Sequence, residues 1–345
     1  MSRIKIGLFS PPGDKQTGML QRKLDEVAPG TCFWFTVPEA GNPPVVLDSR
    51  GVEWDGVNVS ELQCGYIHGF RYANPAIPRA LEDADWTLWQ TDYIMDQQRA
   101  SFVHSAFSEL ERRGVLLFNP PAAHVAAFAL PDLLARLGQH GFRVPRLICT
   151  NDREAADVFC DQLSLSAWRP VTARAPWQRC TPYRRDRVMG LDRPPVLIAE
   201  IVDGPMIRAY LFDGKPLLMV KAQAPAFVPP LERLEVFTSV ECPEAHRDLE
   251  RLAGALQLRW ATVSYVVKNS EPWIYGIDPD PMWMELPEPY RDRVVTGLAQ
   301  GLMGEDVMVL GAITDAPQAR DTLFLRRMLQ PLFELEHCKY HPGDA

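Results

Sequence analysis

Paired cysteines are missing from this chain. Its 7 cysteines (Cys32, Cys64, Cys149, Cys160, Cys180, Cys242 and Cys338) are scattered and never spaced CxxC. That spacing excludes a zinc knuckle, suggests no disulfide framework, and leaves buried, reduced thiols as the expectation. Long apolar runs are missing too. No stretch approaches the roughly 20 residues a membrane helix requires, and "RIKIGLFS" is apolar only from Ile4 to Phe9, too short for a secretory signal. No membrane partner and a cytoplasmic location are therefore expected. A basic excess is lacking: 36 Lys and Arg stand against 44 Asp and Glu, a formal charge of −8. Nucleic-acid binding needs a basic face to neutralise phosphates, so no nucleic-acid partner is expected. The turn after the first strand, "PPGDKQTG", lacks GxGxxG, which excludes the dinucleotide fingerprint there. Internal repeats and low-complexity tracts are absent.

What is present is an ordinary globular composition, 46% hydrophobic and 23% charged over 345 residues, enough for two or three domains. Residues 1–118 read as a small α/β unit: a strand in "RIKIGLFS", a helix around Met19–Val27, a strand in "QCGYIHGF", a long amphipathic helix ended by Gly114, and the buried strand "VLLFNPP". Residues 119–193 hold a helix with Leu130, Leu133, Leu134 and Leu137 on one face, the strand "FRVPRLICT", and a helix opened by an Asn151/Glu154 capping pattern. An Arg/Pro/Trp-rich lid of weak strands and loop follows. Residues 194–315 hold two hairpins, turning at Asp213-Gly214 and near Asn269-Ser270, between helices at "PEAHRDLERLAGALQL" and "YRDRVVTGLAQGLM". Residues 316–345 form a C-terminal helix and tail, whose Leu323, Leu325, Leu329 and Leu332 fit either a homodimer interface or packing on the chain's own core.

The most informative stretch is "WIYGIDPDPMW", an alternating apolar strand (Trp273, Tyr275, Ile277) running into Asp278 and Asp280, each followed by proline. Two readings stay open: a rigid Asp-Pro turn, or a metal or phosphate site at a strand end. Glu285 nearby fits a further carboxylate for such a site or part of a solvated face. Arg169, Arg174, Arg179, Arg184, Arg185 and Arg187 crowd one segment of an acidic protein. Guanidinium forks bind phosphate or carboxylate bidentately; a solvated lid explains the cluster equally well. His68 fits a substrate contact or a satisfied loop histidine, "HCKYH" a metal pair or a tail, and the tryptophans, Trp168 and Trp177 among them, fit the core.

The order of these elements, "NPP", helix, "GFRVPRLICT", helix, lid, "IAEIVDGPMIRAYLFDGKPLL", helix, "LRWATVSYVVKNSEPWIYGIDPDP", resembles the ATP-grasp superfamily over residues 110–300. The similarity is nearest to the branch of glutathione synthetases and ribosomal-protein glutamate ligases. It implies an α/β and α+β fold: an N-terminal pre-ATP-grasp domain followed by a two-subdomain ATP-grasp-like fold. It also implies ATP and Mg2+, and a small-molecule or peptide carboxylate joined to an amine through an acylphosphate. Within the resemblance, Arg169-Pro170 stands where the family has a phosphate-binding Lys-Pro, and Leu130 where it has another lysine. "VTARAPWQRCTP" has no glycine where a glycine-rich loop is usual. Glu200 and Ile201 stand at the hinge whose backbone holds the adenine, and Arg208 at the arginine that contacts phosphate and product. Ser264 replaces a magnesium-binding Asp. Gly276 and Asp278 stand where a Glu and an Asn bind metal, with Asp280 a substitute ligand. The resemblance thus implies a divergent carboxylate–amine ligase or, alternatively, a catalytically inactive relative that binds an acidic peptide or partner. A non-nucleotide small-molecule binder on the same fold is a third reading.

Overall fold

Two cores form along the chain, one built on residues up to Pro121 and one on Ala122–Arg320. The computed structural model describes residues 5–37, 43–69, 86–171, 177–180, 195–222, 236–307 and 318–319.

The first core is a parallel sheet. β1 (Ile6–Ser10), β2 (Cys32–Thr36), β6 (Cys64–Ile67) and β7 (Leu116–Phe118) lie in the order β2-β1-β6-β7, all parallel. Every residue of β1 is buried, as a parallel strand covered on both faces requires. α1 (Lys15–Val27) starts where Asp14 accepts the Thr17 backbone N–H at 2.6 Å, a side-chain cap for one of the helix's orphan donors. α2 (Trp86–Arg112) begins earlier than its periodicity suggests and ends at Gly114, where φ is 87°. Phe107 of α2 packs on Phe9 and Trp54, with ring centroids 5.2 and 5.7 Å away. A small antiparallel meander, β3 (Val45–Asp48), β4 (Gly51–Trp54) and β5 (Val57–Asn58), was not foreseen; its strands are too short to show a period.

The second core holds two antiparallel sheets. After α3 (Pro121–Phe128) and α4 (Leu130–Gln139) come β8 (Leu147–Thr150), α5 (Arg153–Asp161), β9 (Ser166–Pro170), β10 (Gln178–Arg179) and β11 (Val196–Glu200), which pair in the order β10-β9-β11-β8. The cap of α5 is Asp152, not Asn151. Its carboxylate accepts from the backbone N–H of Glu154 and Ala155, a stronger acceptor placed one residue nearer the helix. The larger sheet contains β12 (Met206–Phe212), β13 (Lys215–Ala222), β14 (Val236–Ser239), β15 (Trp260–Lys268), β16 (Glu271–Asp278) and β17 (Gln318–Ala319), in the order β16-β15-β12-β13-β14-β17. α6 (Pro243–Ala255) and α4 cover one face of it, where Leu134, Leu137, Leu249 and Leu252 meet Ala209, Val263 and Ile277. α7 (Glu288–Leu302) approaches Phe212 so closely that a Cβ on Gly301 would lie 2.3 Å from the ring.

The expected combination of a parallel α/β unit and α+β sheets is present. Among the described residues no helix is long and apolar enough to cross a membrane.

The segment joining β11 to β12, residues 201–205, crosses from one sheet to the other and is held open by Gly204. Its φ is 144°, and a Cβ there would stand 2.5 Å from the Val267 backbone oxygen. Backbone cannot yield as a side-chain tip can. Gly204→Ala is expected to cost about 3 kcal/mol, read as a lower urea midpoint at unchanged slope; a midpoint within error of the parent would refute the strain.

Candidate functional site

Strand register brings the sequence-selected residues to one sheet face. Arg208 of β12 lies opposite Ser264 of β15, and Ser264 opposite Gly276 of β16. One row on, Tyr210 lies opposite Thr262 and Thr262 opposite Asp278. Alternation sends Ala209, Val263 and Ile277 to the leucine-rich helices on the other face. The smaller sheet supplies Arg169, buried on β9, whose guanidinium nitrogen Nη1 stands 3.9 Å from where a Gly276 Cβ would be.

The arginines and carboxylates in this region are neighbours of each other. Burial pulls the Arg169 pKa down to about 10, and the nearby Asp278 carboxylate works against that fall. The Arg169 guanidinium also lies over the Trp177 ring, 5.5 Å from its centroid. Arg208 donates from Nη1 to Glu285 Oε1. Glu285 is buried, with 4% of its surface exposed, so its reading as a solvated face is corrected: a carboxylate that deep is held there by its guanidinium partner.

Asp278 and Asp280 form a local turn. The Asp280 N–H donates to Asp278 Oδ1 at 3.0 Å, spanning Pro279, an Asx-type turn. Asp278 is half-buried while Asp280 is only 1% exposed. Among the described residues no three His, Cys, Asp or Glu side chains converge into a metal-holding group. Magnesium is commonly held by one or two carboxylates plus phosphate oxygens, and Asp278, beside Arg169, offers one such carboxylate. Ser264 and Gly276 bring no carboxylate to it.

The backbone groups of the hinge are engaged within the protein. Glu200 and Ile201 are half-buried, and their N–H groups donate to the carbonyls of Arg146 (2.8 Å) and Leu165 (3.0 Å). The Val202 N–H donates to the Tyr275 hydroxyl at 2.8 Å, and that hydroxyl donates to the Glu200 carbonyl at 2.6 Å. Trp177 meets Tyr275 edge-on, centroids 5.8 Å apart at 87°, and its Nε1–H donates to the Tyr275 carbonyl at 3.2 Å. Neither aromatic was singled out for the site.

Tyr275 reaches the hinge because the β15–β16 ladder slips there. Ser264 pairs with Gly276 and Tyr265 with Ile274, leaving Tyr275 as the extra residue of a bulge. The simple alternation of Trp273, Tyr275 and Ile277 is therefore corrected. Ile274 and Ile277 share the helix-covered core, while Tyr275 joins Ala167, Ala199, Val202 and Val266 between the sheets.

Elsewhere, His68 is 3% exposed, in contact with Gln16 Nε2 at 3.2 Å and with Asp14 Oδ1 3.7 Å from its Nε2; it is a satisfied histidine of the first core. Arg179 is exposed on β10. Arg174, Arg184, Arg185, Arg187, the leucines from 323 to 332 and His337 and His341 lie outside the described residues.

No family model and no curated protein matches the chain. Solved structures do match. The ATP-grasp ligase PsnB complexed with a minimal precursor superposes with a TM-score of 0.72 at 19% identity, over 87% of this chain and 98% of that one. PsnB has also been solved with precursor, Mg and ADP. The macrocyclase MdnC bound with precursor peptide MdnA, from Microcystis aeruginosa MRC, matches at 0.65 and 15% identity over 87% of this chain and 100% of that one. A Chryseobacterium gregarium RiPP-associated ATP-grasp ligase in complex with ADP and a leader and core peptide matches at 0.64 and 11% identity, over 88% and 99%. The chain has the ATP-grasp fold.

Proposed function

We propose that this chain is an ATP-dependent carboxylate–amine ligase acting on a peptide. The observation that carries the reading is that Arg169, from the smaller sheet, comes beside Asp278 on the face of the larger sheet that Arg208 shares. It is supported by solved ligases of the same fold, matched along nearly their full length, that hold precursor peptides and nucleotide.

In this reading a peptide carboxylate oxygen attacks the γ-phosphorus of ATP, and ADP leaves. The resulting acylphosphate is attacked at its carbonyl carbon by an amine, and phosphate leaves. Arg169 and Arg208 hold the phosphoryl oxygens and offset the charge that builds on them, the main service a protein renders in phosphoryl transfer. Asp278 would hold magnesium, which would supply further charge neutralisation. Glu285 keeps the Arg208 guanidinium aimed, and Trp177 stacks on that of Arg169.

The test is ADP formation from ATP and magnesium in the presence of peptides carrying both acidic and lysine side chains, with loss of one water per bond followed by mass spectrometry. Peptide-dependent ADP and a dehydrated product are expected. Tight peptide binding without any ADP would reject ligation and select the second reading, a non-catalytic subunit that holds an acidic peptide. That reading draws on the carboxylate-free positions Ser264 and Gly276 and the pairing of Arg208 with Glu285.

A further inference from the structure

The hinge offers a base-reading edge, and the protein already covers it. The Glu200 carbonyl and the Val202 N–H are two residues apart on an extended segment, so they point the same way. An acceptor and a donor side by side complement any planar group that presents a donor next to an acceptor, as the amino group and ring nitrogen of adenine do. A phenol hydroxyl supplies both functions from one oxygen. Tyr275 uses both, at 2.6 and 2.8 Å.

Several features lock the ring in this position. Tyr275 is fully buried, and the bulge sets it between the Tyr265–Ile274 and Ser264–Gly276 pairs, which turns its side chain toward the hinge. Trp177 packs against its ring edge and also hydrogen-bonds its backbone carbonyl. Burial, reinforced by the Glu200 charge, pushes the phenol pKa up, against a smaller opposing pull from the Val202 N–H. The hydroxyl therefore keeps the proton it donates.

We propose that Tyr275 decides whether this hinge reads a base: its phenol occupies the hinge edge, and a nucleobase enters only by displacing the ring. The inference rests on the ATP-dependent reading above and adds to it a division of labour. The phosphate end, at Arg169, Arg208 and Asp278, binds without reference to Tyr275, whereas the base end is closed. Tyr275 is a specificity-determining residue in this account and touches no reacting atom.

The test compares two probes, ATP and inorganic tripolyphosphate, each with magnesium, by calorimetric titration of the parent and of Tyr275→Leu. The parent is expected to bind both probes equally, within about threefold. Tyr275→Leu, with the hinge edge uncovered, is expected to prefer ATP by about tenfold or more, the effect of two hydrogen bonds and ring burial. A parent that already prefers ATP tenfold overturns the proposal and leaves the ligase reading standing. A leucine variant that still binds both probes equally also overturns it, since the hinge then reads no base, while the phosphate site survives. Silence from both probes on both proteins removes the ATP-dependent reading itself, and the proposal with it. Should the leucine variant fail to fold, Tyr275→Phe takes its place: with the hydroxyl gone from the Glu200 carbonyl and the Val202 N–H, a preference for ATP of about threefold or more is expected, and equal binding of both probes overturns the proposal.

Discussion

Arg208→Met is expected to lower ATP-dependent turnover about a hundredfold or more, the usual scale for removing a preorganised charge from a developing oxyanion. It should also destabilise the fold by about 2 kcal/mol, because Glu285 is 4% exposed and loses the guanidinium that faces it. The value sits below the range for fully buried pairs because the Arg208 side chain keeps 30% of its surface in solvent. The two effects separate in the double variant Arg208→Met/Glu285→Met. With both charges gone and the volume filled, urea stability should return toward the parent while activity stays lost. Full turnover in the single variant would remove Arg208 from the site. Lost stability that the second substitution does not restore would remove the Glu285 pairing.

Arg169→Met should move stability and binding in opposite directions. Burial lowers the pKa of this guanidinium to about 10. Below pH 10 both folded and unfolded chains carry the charge, so the penalty for burying it is fully present, about 3 kcal/mol at 1.36 kcal/mol per pKa unit. Above pH 10 the folded chain releases the proton before the unfolded chain does, and the penalty is relieved. At neutral pH the variant is therefore expected to match or exceed the parent in thermal stability by roughly 1–2 kcal/mol, part of the gain being lost with the stacking on Trp177. Affinity for tripolyphosphate should drop about thirtyfold or more, the scale of one charge-assisted contact. A marked loss of stability, with phosphate affinity unchanged, would mean that Arg169 serves the fold through Asp278 and not a ligand.

Much of the fold was legible where a local rule speaks alone. Asp213-Gly214 and Asn269-Ser270 take the positive φ pairs of tight hairpins, 45° and 79°, 53° and 61°. The stripe of Leu130, Leu133, Leu134 and Leu137 is buried as its spacing requires. Of the proposed site, Arg169, Arg208 and Asp278 were legible as candidates; strand register puts Arg208 and Asp278 on one sheet face, and Arg169 comes beside Asp278 from the other sheet. The site's remaining parts were not, for physical reasons. A bulge leaves no mark in a strand whose apolar residues still alternate on paper, so Tyr275 passed for core. Glu285 follows an Asp-Pro turn, and its burial depends on Arg208, 77 residues earlier in the chain. Trp177 sits in an arginine- and proline-rich segment without a period, where tertiary contact alone decides what it touches.

The bulge in β16 also has a consequence for chain length. Ile274 stays opposite Tyr265 and Gly276 opposite Ser264, with nothing on β15 reserved for the residue between them. Excising residue 275 would therefore close the strand into an even ladder with Asp278 still across from Thr262 and Ile277 still among the leucines. A chain can gain or lose a residue at this point without reshuffling its neighbours, so the hinge's stopper can be inserted or removed as a single codon.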